Sequence, residues 1–209
     1  MHQDAASLAA LIGSRICHDL ISPIGAISNG LELVGMTDAT PSGPEMSLIQ
    51  QSCDNATARI RFFRIAFGTA ADARDIAVTE ARKTLVNHYA GTRISAEWHS
   101  TQDFGRDITQ LAYLAALCLE AALPKGGVIR LELSKEAIVG TAQGRQIRRD
   151  QPVWCLFAES KTEASPDIIP AHVQFPLLAQ LCTDRKCPVS LRTTNDTARL
   201  QIDLHPDAM

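Results

Sequence analysis

The pattern of apolar residues divides the chain into a helical segment followed by a mixed segment. Residues 3–34 contain few helix-breaking residues apart from Pro23, and the loop at 36–44 is rich in Thr, Pro, Ser and Gly. After it, apolar residues recur with alternating gaps of three and four, as in a heptad stripe: Met46, Ile49, Cys53, Ala56, Ile60, Phe63 and Phe67. Two long helices joined by a short loop predict an antiparallel helical hairpin.

The first helix has an apolar stripe of its own. At about 100° per residue, this stripe lies opposite His18 and comprises Ile16, Leu20, Ile24, Ile27, Leu31 and Val34. A hairpin with two such stripes cannot bury them well by itself, so we expect a homodimer in which two hairpins form a four-helix bundle. The alternative is that the hairpin packs onto the rest of its own chain.

Helical and strand patterns alternate after a connector at residues 69–75. The helical patterns cover 76–90, 107–123 and 175–183, and the strand patterns cover 92–99, 128–134, 137–141, 153–158, 189–193 and 198–204. Such interleaving predicts an α/β sandwich. The expected fold class is therefore α+β, with a helical hairpin at 1–68 and a sheet domain at 76–209.

Composition limits the possible classes of function. Of the 209 residues, 45% are hydrophobic and 21% charged, which is typical of a folded protein with one or two domains. The net charge of −3 argues against a dedicated nucleic-acid-binding protein. Neither a signal peptide nor a membrane-spanning run is recognisable, so we expect a cytoplasmic protein without a membrane partner. Six cysteines without a CxxC pair predict reduced thiols and no metal site.

The string His18-Asp19-Leu20-Ile21-Ser22-Pro23 carries the candidate chemistry. An exposed imidazole is a good nucleophile near neutral pH, and its attack on a phosphoryl group gives a phosphohistidine. The Asp19 carboxylate could orient the ring or accept its second proton, and Pro23 should kink the helix. Mostly small or polar residues share this face and suit a docking partner: Leu11, Ser14, Arg15, Ser22, Gly25 and Asn29. The alternative is an ordinary solvated face with an incidental histidine.

The string from His18 to Pro23 resembles the H-box of sensor histidine kinases, in which a phosphoacceptor His is followed by an acidic residue and, at +5, by proline. The wider stretch 14–33 is more particularly similar to the ChpT-type histidine phosphotransferases of alphaproteobacterial cell-cycle phosphorelays, and the resemblance extends over essentially the whole chain. It implies a dimeric bundle followed by a degenerate kinase-type ATP-binding-like domain. It also implies transfer through His18 from the receiver domain of a hybrid histidine kinase to response regulators of the CtrA and CpdR kind.

The second domain departs from an ATP-dependent kinase. Pro124, Gly126 and Gly127 fit the frame of the kinase N-box, but counting back places Cys118 at its asparagine position and Leu114 at a second polar position. Neither side chain suits Mg²⁺, which requires oxygen ligands. Residues 159–165, where a glycine-rich nucleotide motif would lie, contain no glycine. We expect no kinase activity, no cofactor and no resident metal, with Mg²⁺ supplied by the receiver.

The second helix of the hairpin should also contribute to the site. In an antiparallel hairpin, Arg61 and Arg64 should lie level with His18 and could steady phosphate or the acidic rim of a receiver, although a solvated helix surface is an equal alternative. Two other functions remain as alternatives to a phosphotransferase. One is a non-catalytic dimeric adaptor that binds receivers, and the other is a divergent histidine kinase.

Overall fold

A computed structural model describes residues 5–36, 43–69, 75–149, 152–157 and 166–204 of the chain. Most of the predicted loop at 36–44, most of the connector at 69–75 and the segment 159–165 lie outside the described residues. Within them the protein is α+β, with a helical hairpin followed by a domain of strands and helices.

The hairpin consists of α1 (Ala5–Gly35) and α2 (Pro44–Ala66), as the apolar pattern predicts. Helix α1 continues through Pro23, which is buried, so the proline does not end the helix. Gly30 is the other buried residue of α1, and a Cβ atom there would lie 2.6 Å from Cγ1 of Ile49. The two helices therefore approach closely at Gly30, where a larger residue would force Ile49 to move.

The second domain contains seven strands and three helices among the described residues. A two-residue strand β1 (Asp75–Ile76) pairs with β3 (Phe104–Gly105). The helices are α3 (Val78–Tyr89), α4 (Arg106–Glu120) and α5 (Gln174–Asp184). The main sheet is formed by β2 (Ile94–His99), β4 (Gly127–Leu133), β5 (Ala137–Gln143), β6 (Val189–Thr193) and β7 (Thr197–Asp203).

The main sheet has the order β2-β4-β5-β7-β6, with β2 parallel to β4 and the other neighbours antiparallel. Burial alternates along β4, where Ile129 and Leu131 are buried and Arg130 is exposed. This period of two means that one face of the sheet is covered and the other is open. Helix α4 lies against the covered face, with twelve of its fifteen residues buried.

The sequence-based strand at 153–158 is wrong. Pro152–Phe157 forms a 3-10 helix, in which Val153 and Phe157 are buried. A short apolar run does not distinguish a strand from a buried helical turn, and here the run packs beside α5 instead of pairing with a strand.

The end of α2 packs into the core of the second domain. Phe62 is fully buried and its ring stacks between those of His88, 3.9 Å away, and Tyr113, 4.5 Å away. The Gln110 side-chain amide donates hydrogen bonds to the carbonyls of Ala66 and Gly68. The C-terminal end of the hairpin is thus continuous with the domain that follows it.

Candidate functional site

His18 projects from the middle of α1 into solvent. Its side chain is 85% exposed, and its Nδ1 atom lies 3.0 Å from Oδ1 of Asp19. When Nδ1 carries the proton and donates a hydrogen bond to this carboxylate, the free lone pair is on Nε2, the second ring nitrogen. The exposed ring can therefore present Nε2 as a nucleophile to an incoming phosphoryl group.

Asp19 is much less exposed than its neighbour, at 15% of its side-chain surface. Its Oδ2 atom lies 2.7 Å from Nε of Arg15, one helical turn earlier, while Oδ1 contacts His18. The backbone carbonyl of Asp19 accepts a hydrogen bond from Arg59 of α2. One carboxylate oxygen is thus in an ion pair with Arg15, whose Nε–H makes no hydrogen bond, and the other is hydrogen-bonded to His18. With the bond from Arg59 to its carbonyl, Asp19 contacts two arginines.

Arg59 was missed by sequence reasoning, which pointed to Arg61 and Arg64. Counting twelve residues along each helix in opposite directions from the contact of Gly30 with Ile49 places Arg61 near the level of His18, and a role for Arg61 and Arg64 beside His18 stays a prediction. The side chains of Arg59 and Arg61 point in different directions, because two positions along a helix rotate a side chain by about 200°. Arg61 and Arg64 line a groove between α2 and α3, whereas Arg59 reaches α1.

The other residues predicted to surround His18 form an open surface of small side chains. Ser14, Ser22 and Asn29 are exposed, and Leu11 and Gly25 are half-buried. A Cβ atom added at Gly25 would meet no other atom within 4 Å. Arg15 departs from this group, because its side chain is only 15% exposed and turns toward the second domain. Whether the open residues contact a partner stays a prediction.

A polar cavity of about 310 Å³ lies behind Asp19, between the hairpin and the second domain. His88 lies in its wall; burial, with help from the charges of Arg59 and Arg15, lowers the pKa of His88 to about 3. Burial raises the pKa of Glu120, whose carboxylate accepts a hydrogen bond of 3.3 Å from the Tyr89 hydroxyl. Sequence reasoning missed this cavity, because its walls come from segments far apart in the chain.

The positions that correspond to the kinase N-box are part of the protein core. Leu114 is fully buried and Cys118 nearly so, and burial next to Cys182 of α5 raises the pKa of the Cys118 thiol. The Gln174 amide of α5 also donates a hydrogen bond to the Leu117 carbonyl. This face of α4 is thus covered by α5, and its side chains offer no oxygen ligand for a metal.

The described residues contain no group of three or more His, Cys, Asp or Glu side chains arranged to hold a metal ion. Nor does any helix in these parts of the chain have the length and apolar character needed to cross a membrane.

The chain matches known phosphotransferases in sequence and in structure. Residues 78–197 match the family described as histidine phosphotransferase C-terminal domain. Protein phosphotransferase ChpT of Brucella abortus (strain 2308) is 35% identical over 187 residues, which cover 86% of this chain and 87% of that protein. A solved structure titled as a bacterial phosphotransferase superposes with a TM-score of 0.76 at 32% identity, covering 97% of this chain and 98% of the other.

Proposed function

Because this chain belongs to the histidine phosphotransferase family, we propose that His18 is the residue through which it transfers phosphate. The chain is a phosphorelay histidine phosphotransferase. The observation that carries the assignment to His18 is a highly exposed imidazole whose Nδ1 is bonded to the Asp19 carboxylate. That arrangement leaves Nε2 as the reacting nitrogen.

The transfer is a displacement at phosphorus. The lone pair of His18 Nε2 attacks the phosphoryl group of a receiver's aspartyl phosphate, the N–P bond forms, and the P–O bond to the aspartate breaks. The carboxylate leaves with the bonding electron pair, so no proton has to be removed from Nε2. In the second transfer a receiver carboxylate attacks the phosphohistidine, and the electron pair of the N–P bond returns to Nε2. Asp19 orients the ring throughout through Nδ1–H.

The partners in this proposal are two classes of receiver domain. The phosphoryl donor is the receiver of a hybrid histidine kinase, and the acceptors are response regulators of the CtrA and CpdR kind in the cytoplasm. Each receiver would supply the Mg²⁺ that neutralises charge on the transferred group. The contribution of this protein is mainly to position the His18 imidazole for the transfer. The open face formed by Ser14, Ser22, Gly25 and Asn29 would admit the receiver next to His18.

The direct test incubates the purified protein with a phosphorylated receiver and follows acid-labile phosphate on the chain. His18→Ala should abolish labelling. His99→Ala is a matched control, because His99 is also exposed and lies 2.9 Å from a carboxylate, that of Glu97. Labelling should be retained in the control. Full labelling of the His18→Ala protein would overturn the assignment.

We also propose that two copies of the hairpin form a four-helix bundle. Apolar residues at heptad spacing stay exposed on both helices. On α1, Ile24 is 56% and Leu31, seven residues later, 57% exposed; on α2, Met46 is 40% and Ile60, fourteen residues later, 52% exposed. Such side chains at heptad spacing are the pattern of a helix-packing seam. Their burial against a second copy would remove this apolar surface from water.

Light scattering coupled to size exclusion tests the bundle. The parent protein should have the mass of a dimer, and the double variant Ile24→Glu with Leu31→Glu that of a monomer. Val86→Glu is the control, because Val86 is an exposed apolar residue (43%) of α3, outside the hairpin. A monomeric parent protein would contradict the proposal.

A further inference from the structure

We propose that Arg15 is a positioning residue for transfer at His18, and that the second domain determines where Arg15 lies. This inference rests on His18 being the phosphoacceptor. It changes the sequence-based role of Arg15, which was contact with a partner. It also gives the second domain a part in the reaction, although apolar core residues occupy the positions where the kinase pattern has its N-box.

A chain of contacts on α1 joins Arg15 to His18 through Asp19. Arg15 Nε lies 2.7 Å from Oδ2 of Asp19, and Oδ1 of the same carboxylate lies 3.0 Å from His18 Nδ1. Because Arg15 and Asp19 are largely shielded from water, their ion pair is screened less than one on an open surface. Arg15 thus fixes the carboxylate that in turn fixes the imidazole.

Arg15 also contacts the second domain. Its Nη1 atom donates a hydrogen bond of 3.2 Å to the backbone carbonyl of Ala171, which lies in the 3-10 helix Pro170–His172. Val173 and Phe175 follow directly and are fully buried. The carbonyl is therefore anchored to the core of the second domain, and Arg15 connects this anchor to the hairpin.

Glu120 of the second domain lies beside the same arginine. It ends α4, and together with Arg15 and Asp19 it lines the cavity behind Asp19. Burial raises the pKa of Glu120, which favours its neutral form, and no described ion pair joins it to Arg15. Asp19 is therefore the carboxylate with which Arg15 pairs, and the bond to Ala171 holds the other end of the guanidinium on the side of the second domain.

The consequence is a specific effect on chemistry. Without Arg15, one oxygen of Asp19 loses its partner, and the carboxylate is free to leave His18. The imidazole then loses the hydrogen bond that favours the Nδ1–H tautomer and a reactive Nε2. Loss of a partner that orients a metal-binding histidine typically costs roughly ten- to a hundredfold in metal affinity or activity, and we expect a loss of the same order here. Because Arg15 is turned inward, receiver affinity should stay the same.

Single-turnover transfer from a phosphorylated receiver, measured over a range of receiver concentrations, separates the two roles of Arg15. Arg15→Ala should lower the maximal rate by roughly tenfold or more and leave the half-saturating concentration unchanged. Arg15→Lys keeps the charge but not the planar fork, so it should recover part of the rate. Arg192→Ala, at an exposed position on β6, is the control and should match the parent protein.

Side-chain ¹⁵N NMR of His18 provides a readout that a merely structural role would not move. The parent protein should show the Nδ1–H tautomer, and Arg15→Ala should shift the population toward Nε2–H. An unchanged tautomer together with an unchanged maximal rate would overturn the proposal. An unchanged maximal rate with a raised half-saturating concentration would also overturn it, since Arg15 would then be a partner contact.

A double-mutant cycle tests the link to the second domain. Pro170→Gly loosens the turn that presents the Ala171 carbonyl, and we expect it to lower the maximal rate by about two- to threefold, equivalent to a coupling of ~0.5 kcal/mol. In an Arg15→Ala background it should have no further effect, and additive losses would contradict the link. Failure of the His18 assignment would be recognised separately, because His18→Ala would then still be labelled.

Discussion

Helices α1 and α4 have opposite relations to water, although both are rich in apolar residues. Two of the 31 residues of α1 are buried, Pro23 and Gly30, whereas twelve of the fifteen residues of α4 are buried. Helix α4 lies at the centre of the core, whereas α1 packs against α2 and the 3-10 helix Pro170–His172. The difference indicates that α4 contributes mainly to stability, whereas the proposed reacting group lies on a helix that is largely open to water.

The two helices also differ in how their sequences compare with the kinase pattern that the chain resembles. Helix α1 contains His18, Asp19 and Pro23 of the H-box pattern, with His18 open to solvent. Helix α4 has Leu114 and Cys118 where the sequence comparison places the N-box, and both pack in the core. The proposed phosphoacceptor needs exposure to meet its partner, whereas burial of apolar side chains adds to stability.

The largest expected effect tests the difference in burial between α1 and α4, and it comes from truncating one leucine in each helix. Leu114→Ala should lower the free energy of unfolding by about 2–5 kcal/mol, because it leaves a cavity in a closed core. Leu31→Ala, at a position 57% exposed in the single chain, should cost less than about 0.5 kcal/mol in the monomer. Urea denaturation at low protein concentration measures both. Equal losses would contradict the contrast between the two helices.

The pH dependence of stability tests the junction between the two regions. The pKa of buried His88 is lowered to about 3 from an ordinary value of 6.5, so between these pH values the unfolded chain binds a proton that the folded chain does not. Stability is therefore lost as the pH falls below 6.5. His88→Phe keeps a stacking ring and should remove this loss, worth ~1.4 kcal/mol per pH unit.

Unfolding curves between pH 6.5 and pH 4.5 check this expectation. At pH 4.5 the difference between His88→Phe and the parent protein should have moved by about 2 kcal/mol in favour of the variant. If the free energies of unfolding of His88→Phe and the parent protein changed equally with pH, the pKa of His88 would not be lowered in the folded protein.

The smallest expected effects come from two glycines of α1, and they test whether only one side of this helix is packed. Gly30→Ala places a Cβ atom 2.6 Å from Ile49 Cγ1, so we expect a loss of about 1 kcal/mol after the gain in helix propensity. Gly25→Ala meets no atom within 4 Å and should stabilise the helix by up to ~1 kcal/mol. Thermal unfolding of both variants measures the difference. Effects of the same sign would mean that both sides of α1 are equally open.

Much of the fold could be read from the sequence, since helices and strands follow from local apolar periods. The hairpin and all five strands of the main sheet were predicted in this way. The strand at 153–158 was not, because a short apolar run has no period that identifies its structure. The two-residue strands β1 and β3 are too short to leave a pattern.

The candidate site also has a part that the sequence predicts and a part that it does not. By itself the sequence determined the pair His18 and Asp19 and the face of α1 on which His18 lies, because both follow from positions within a few helical turns. Only the tertiary structure decided that Arg59, and not Arg61, reaches Asp19, and that Arg15 turns inward. The physical reason is that an arginine side chain takes the direction of its partners, and Ala171, a partner of Arg15, lies 156 residues away along the chain.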